Sequence, residues 1–368
     1  MRNKVRHVLG ISGGKDSAAL AIYLFEKYPQ LDIEYYTCDT GKELDETYKL
    51  IDNLEVYLGK KIKRLISAPD SHEDPFDHFL KLYGGYLPSS VSRWCTRKLK
   101  LDPFEDWVGD DPVISYVGIR GDEDREGYIS TKPNIQSIFP FRKNIWSEDV
   151  MAKLLSNTNI PKLVDLYSGI GTEKLDRILG VAQEPVSPRF IRTSKMQALL
   201  ELDTKAFNEV VFQFLQTTAY PLSLTSQFPL IDNEDVLVRD DIFRILKDSG
   251  VGVPQYYEKV GFEHNGQKGV YSRSRSGCFF CFYQQKIEWI WLYEQHPDMY
   301  KKAMEYEKEG YTWMQEESLT DLIQPERMAQ IKQDYIKKTT RLENNKKSPY
   351  LVDILSDAEG EGCASCFI

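Results

Sequence analysis

The feature that most constrains this chain is a six-residue turn, Ser12-Gly13-Gly14-Lys15-Asp16-Ser17, set between an apolar run and a helix-like pattern. Val5 to Ile11 reads as a short buried strand, and Ser17 to Tyr28 places Leu20, Tyr23 and Leu24 on one helical face. Glycines in that position let backbone N–H groups crowd round an anion, and the helix N-terminus adds favourable dipole potential. Lys15 contributes a mobile cation, and Ser12 and Ser17 contribute hydroxyl donors. Such a turn commits the start of the chain to a strand–loop–helix unit with an anion-binding end.

The same alternation continues. Ile33 to Cys38 reads as a second strand, Leu44 to Leu58 as an amphipathic helix, Ile62 to Ile66 as a third strand and Val113 to Gly118 as a fourth. Strands alternating with helices of this length predict an α/β fold, a parallel sheet covered by helices on both faces. Ligands in such sheets lie at the carboxyl ends of the strands, so the loops after Ile11, Cys38 and Gly118 are the expected site. After Phe141 the alternation stops. Residues 143–227 read as a largely helical insertion, with Asp149 to Met151 and Thr204 to Gln216 as examples. Asp241 to Lys247 reads as a helix ended by Ser249-Gly250. The expected organisation is a nucleotide-binding core formed by 1–142 and 228–285, the insertion 143–227, and a helical C-terminal region, 286–368, ending in a flexible Cys363-x-x-Cys366 tail.

Composition narrows the function classes. With 47 Lys plus Arg against 56 Asp plus Glu, the net charge of −9 argues against a protein that coats nucleic acid unaided. It leaves room for a local basic groove or for nucleic acid presented by a partner. The apolar run Val8 to Ile11 is broken at once by Gly13, and no run approaches the ~18 residues of a membrane span, so a cytoplasmic protein without a membrane partner is expected. Six cysteines are too few for a disulfide scaffold in a chain of 368 residues, which points to metal or redox chemistry.

The loop fails the Walker A spacing, because Asp16 follows the lysine, and it fails the dinucleotide fingerprint. It resembles, residue for residue, the SGGxDS signature of the PP-loop ATP pyrophosphatase superfamily. That resemblance implies an adenine nucleotide alpha hydrolase-like fold, with ATP cleaved between its α and β phosphates and the pyrophosphate held in this loop. Asp39-Thr40-Gly41 through Glu46-Thr47 is similar to the D-T-G-x-x-x-x-E-T stretch of the PAPS reductase family. Trp94 to Lys100 and Gly118-Ile119-Arg120 through Arg125 resemble that family's cysteine segment and its G-x-R-x-x-E segment. Gly127 to Ile135, and Ser272 to Cys281 running on to Trp289, look like the branch found in DNA phosphorothioation (DndC- or SspD-like) systems. The resemblance spans residues 1–142 and 228 to about 310, and nothing is carried over to the insertion.

The resemblance implies nucleotide binding by Ser12, Gly13, Gly14, Lys15, Asp16, Ser17, Asp39, Glu46, Gly118 and Arg120, with Lys15, Asp16 and Arg120 catalytic. A carboxylate at a strand end, such as Asp39, accepts from ribose hydroxyls or helps hold Mg²⁺. Arg120, Arg125 and Lys98 are candidate clamps on phosphate oxygens, with surface ion pairing the alternative. Cys278-x-x-Cys281 with Cys95 supplies three ligands of an implied [4Fe-4S] cluster, and the fourth position is either open or filled by Cys363 or Cys366. Zinc is the rival metal, less favoured because the spacing to Cys363 is far from that of a zinc ribbon and no histidine falls at ligand spacing. Cys38 reads as a small buried hydrophobe at a strand end. The function implied is ATP-dependent activation of a DNA phosphate oxygen for sulfur insertion in an anti-phage phosphorothioation system, with a cysteine desulfurase as sulfur donor. The alternatives are a PAPS or adenylylsulfate reductase, a tRNA-thiolating enzyme of the same superfamily, and a non-catalytic nucleotide sensor.

Overall fold

A computed structural model describes residues 4–123 and 130–346. Arg125, the start of the Gly127–Ile135 stretch as far as Ile129, Cys363 and Cys366 lie outside the described residues.

Five strands form one all-parallel sheet: β1 (Arg6–Gly10), β2 (Ile33–Asp39), β3 (Ile62–Ile66), β4 (Val113–Tyr116) and β5 (Ile135–Ile138), in the order β3-β2-β1-β4-β5. The sequence reading finds the first four and misses the fifth. Alternating side chains sort to the two faces. Leu9, Ile33, Tyr35, Ile114 and Tyr116 enter the larger core under α1 (Lys15–Lys27) and α2 (Asp45–Leu58). Val8, Tyr36, Cys38 and Val113 point the other way, against Phe104 and Val108 of α4 (Asp102–Val108). Cys38 is buried in that apolar layer, where burial pushes its thiol up to about 12.

The chain enters the sheet at its centre, winds outward through β2 and β3, and crosses to the other side at β4. The reversal lies between β1 and β4. Neighbouring connections there leave the sheet in opposite directions, and the crevice between them is the standard ligand position of an open α/β sheet. The Ser12–Ser17 loop and the loop from Gly118 flank that crevice.

The helices of residues 143–227 do not stand apart from the sheet. Val150, Leu154, Leu163, Tyr167, Phe207, Val211 and Leu215 belong to the same buried cluster as Leu9, Leu20 and Tyr116. Asn208 Oδ1 accepts from the buried Trp146 indole (2.9 Å), and Gln136 of β5 accepts from the Leu222 amide (3.1 Å). Each fully buried Leu or Phe contributes roughly 1.5–3 kcal/mol. An exposed pair such as Lys205–Asp232 contributes about 1 kcal/mol at most. Apolar burial therefore holds these helices on the sheet.

A second, aromatic-rich core joins the later chain to the sheet domain. Between α3 (Pro75–Leu82) and the C-terminal helices, Phe280 lies 4.5 Å from Phe76 and 4.8 Å from Trp313, centre to centre. An antiparallel hairpin missed in the sequence reading, β6 (Val260–His264) and β7 (Gln267–Tyr271), packs against the helices Lys286–Gln295 and Pro325–Lys346. Among the described residues no helix is long and apolar enough to cross a membrane.

Candidate functional site

The loop after β1 has the shape its glycines require. Gly13 sits at φ +71°, and a Cβ there would lie 2.1 Å from the Thr47 methyl group of α2, so only glycine fits. Ser17 Oγ accepts from the Ser12 amide (3.2 Å) and lies 3.1 Å from Ser12 Oγ, closing the turn on itself. Gly118 lies against the same loop: a Cβ on it would come within 2.9 Å of the Asp16 carbonyl oxygen. The end of β4 thus approaches the first turn of α1 backbone to backbone.

Lys15 and Asp16, both buried, meet Arg120 here. Asp16 Oδ1 accepts from Arg120 Nη1 at 3.0 Å, and Asp16 Oδ2 lies 3.3 Å from Lys15 Nζ. Arg120 is also bound by Asp122 (2.9 Å) and Glu123 (2.7 Å). The three residues expected to be catalytic are therefore in one charge cluster. Arg120 is engaged by three carboxylates, which makes it a fixed electrostatic partner of Asp16 in this conformation. Lys98 is elsewhere, paired with Asp102 at 2.9 Å and 39% exposed.

At the end of β2, Asp39 Oδ1 accepts from the Gly41 amide and from the Tyr48 hydroxyl, both at 2.9 Å. The same hydroxyl reaches Glu43 (3.2 Å), which also accepts from Thr40 Oγ1 (2.7 Å). Burial raises the Glu43 carboxyl above its ordinary range, and the Asp39 carboxylate pushes the same way. Asp39, Ser12, Tyr48, Arg64, Lys100 and Gly277 line one cleft with Cys38. Glu46 is not part of it; its carboxylate lies 3.9 Å from His296 Nε2.

The cysteine turn is tied directly to this strand end. The Phe279 amide donates to the Lys42 carbonyl (2.9 Å), Glu43 pairs with Cys278 in an antiparallel bridge, and Thr40 Oγ1 is 3.2 Å from Cys278 Sγ. Cys281 closes the turn by donating its amide to the Cys278 carbonyl (3.1 Å). Burial raises both thiols, but their surroundings differ. Glu43 raises Cys278 further, whereas the Tyr283 amide, Arg273, Arg275 and Lys100 draw Cys281 back down. Cys95 sits in the short helical segment Trp94–Thr96, which continues through a π-helical turn, Arg97–Leu101, and borders the same aromatic cluster as Cys278. Among the described residues no three His, Cys, Asp or Glu side chains converge as a metal-binding group. The donor set held together by one turn is the thiol pair alone, which fits two ligand positions of a soft metal centre.

Three contacts lay beyond the sequence reading. The Tyr256 hydroxyl donates to the Gly13 carbonyl (2.8 Å), the Tyr257 hydroxyl accepts from the Lys15 amide (3.4 Å), and Lys15 Nζ stands 5.0 Å from the Tyr257 ring centre. These residues come from more than 240 positions downstream, and nothing local in Tyr256-Tyr257 marks them.

No family model matches the chain. An uncharacterized protein of Methanocaldococcus jannaschii is 31% identical over 153 residues, a stretch covering 38% of this chain and 30% of that protein. The chain thus spans under a third of that relative's length.

The charge cluster yields a stability prediction. Asp16→Asn keeps the side-chain shape but leaves Lys15 and Arg120 buried with one carboxylate fewer. Removing one partner of a buried pair costs about 3–5 kcal/mol. Denaturant unfolding of Asp16→Asn, Arg120→Gln and the double variant should give a coupling energy of at least ~1.5 kcal/mol. Additive effects would show that Asp16 and Arg120 are not energetically linked.

Proposed function

We propose that this chain is an ATP pyrophosphatase of the PP-loop kind that activates a DNA backbone phosphate for replacement of oxygen by sulfur. The observation that carries the reading is the glycine-formed loop at the β1/β4 reversal, with Lys15 at the start of a helix of 13 residues and Asp16 bound to Arg120. In the reaction, a non-bridging oxygen of the acceptor phosphate attacks the α-phosphorus of ATP. The bond from the α-phosphorus to the α–β bridging oxygen breaks, and pyrophosphate leaves. A thiol reductant, oxidised to its disulfide, releases sulfide from the persulfide of a cysteine desulfurase partner; the sulfide then attacks the activated acceptor phosphorus, and AMP departs with the original acceptor oxygen.

Loop amides, the α1 dipole and Lys15 meet the charge that develops on the leaving pyrophosphate. Asp39, with Glu43 beside it, takes the ribose hydroxyls or the Mg²⁺ that accompanies the nucleotide. Arg120 fixes Asp16 so that the loop keeps its shape while the phosphates change charge. Cys278 and Cys281 serve as two ligands of an iron–sulfur cluster, with Cys95 and Cys363 or Cys366 as the remaining candidates. Held there, such a cluster would supply an iron able to bind sulfide. Burial raises the Cys281 thiol, and Arg273, Arg275 and Lys100 offset part of that rise. Zinc on the same thiols is the alternative.

Two experiments test this reading. Wild-type protein incubated with ATP, Mg²⁺, DNA, a desulfurase–cysteine sulfur source and a thiol reductant should yield phosphorothioate dinucleotides by mass spectrometry of the digested DNA. Lys15→Ala should lower the yield by about 10²–10³-fold, the effect of losing one charge-assisted contact to developing charge, while the melting temperature identifies any loss of fold. Sulfur appearing in tRNA and not in DNA would transfer the acceptor to the tRNA alternative. Protein purified without oxygen should carry iron and acid-labile sulfide, which Cys278→Ser or Cys281→Ser removes. Stoichiometric zinc in place of iron would overturn the cluster assignment.

A further inference from the structure

Arg273 follows β7 and is one of the two charged side chains among the largest fully buried ones of the described residues; the other is Lys195. The burial of Lys195 is accounted for, because Nζ donates to the carbonyls of Ala182 and Glu184, both at 2.7 Å. Arg273 is only partly satisfied. Its Nη2 donates to the Cys278 carbonyl (3.0 Å), while Nη1 is buried with no hydrogen-bond partner among the described residues. A buried guanidinium N–H without an acceptor is costly, and such an atom persists where an anion completes it.

The surroundings identify that anion. The Arg273 amide donates to the Tyr256 carbonyl (2.8 Å), and its guanidinium carbon is 5.8 Å from the Tyr256 ring centre. Tyr256 in turn holds the Gly13 carbonyl, and Tyr257 meets the Lys15 amide. Three residues on, Ser276 lies over Gly14, so close that a Cβ on that glycine would be 2.6 Å from Ser276 Oγ. The segment from Arg273 to Ser276 therefore borders the loop: Ser276 sits on Gly14, the residue that caps α1, and Arg273 is joined to the Gly13 carbonyl through Tyr256.

We propose that Arg273 is a second-wall phosphate ligand of this loop, donating from Nη1 to the pyrophosphoryl end of the nucleotide while Lys15 and the loop amides hold it from the other side. The inference rests on the reading of Ser12–Ser17 as a triphosphate cradle and deepens it. A guanidinium fork suits phosphate oxygens, and donors on two opposed walls suit a group of two linked phosphates better than a single one. Entry of the phosphate moves Ser276 off Gly14, and Gly277, at φ +109°, provides the backbone freedom for that movement.

Calorimetric titration of the full chain with inorganic pyrophosphate and, separately, with AMP tests the assignment. Arg273→Gln should weaken pyrophosphate binding roughly tenfold or more, the range of one charge-assisted hydrogen bond, and leave AMP binding unchanged. Arg273→Lys, which keeps the charge, should recover part of the loss, and pyrophosphate should raise the melting temperature of wild type more than that of Arg273→Gln. If Lys15→Ala abolishes pyrophosphate binding while Arg273→Gln and Arg273→Lys bind it as wild type does, the Arg273 assignment falls and the loop reading stands. Loss of bound metal with unchanged pyrophosphate affinity likewise overturns it, because Arg273 would then serve the cysteine turn alone. Wild-type protein that does not bind pyrophosphate overturns both readings.

Discussion

The buried pairing of Asp16 with Arg120 is the constraint on which the rest of the site depends. It joins the loops that follow β1 and β4, the two strands between which the sheet reverses direction. Two loops leaving a sheet in opposite directions have no intrinsic reason to keep a fixed spacing. Here a 3.0 Å charge-assisted bond, buried at both ends, sets it. Gly118 makes the approach sterically feasible, since any side chain there would strike the Asp16 backbone. Asp122 and Glu123 then complete the neutralisation of Arg120, as a buried guanidinium requires.

A second linkage runs from the end of β2 to the cysteine turn through Thr40, Lys42 and Glu43. It is locked from behind, where burial opposes the Lys42 charge but Asp77 and Asp74 more than offset that and raise its pKa. Asp77 also accepts from Tyr306, which packs on Phe280. The thiol pair and the anion loop are thereby mounted on adjacent strands of one rigid sheet.

Much of the fold was legible because period and punctuation agree. The first four strands and the helices after β1 and β2 have clear apolar spacing, and glycines mark the loops after β1 and β2. The strand Ile135–Ile138 escaped because its two central residues, Gln136 and Ser137, are polar yet buried, so the sequence shows neither an apolar run nor alternation. The hairpin escaped although Asn265-Gly266 carries its signal: both residues adopt positive φ, as a tight hairpin turn demands. In the site, Lys15, Asp16 and Arg120 were legible because each lies within a glycine-marked segment. Glu46 was drawn in by its place in a motif, yet the first turn of α2 directs it towards His296. Tyr256 and Tyr257 reach the loop only through contacts spanning most of the chain, which no local pattern encodes, and Arg273 is tied to it through Tyr256.

The account turns on where ATP is cut. Phosphorus-31 NMR of ATP incubated with the purified protein, Mg²⁺, DNA and sulfide reads this directly. The account predicts AMP and pyrophosphate in equal amounts, both absent without the protein. ADP with inorganic phosphate would place the cleavage at the terminal phosphate and contradict the reading of the Ser12–Ser17 loop, and intact ATP under the same conditions would contradict the enzyme assignment itself.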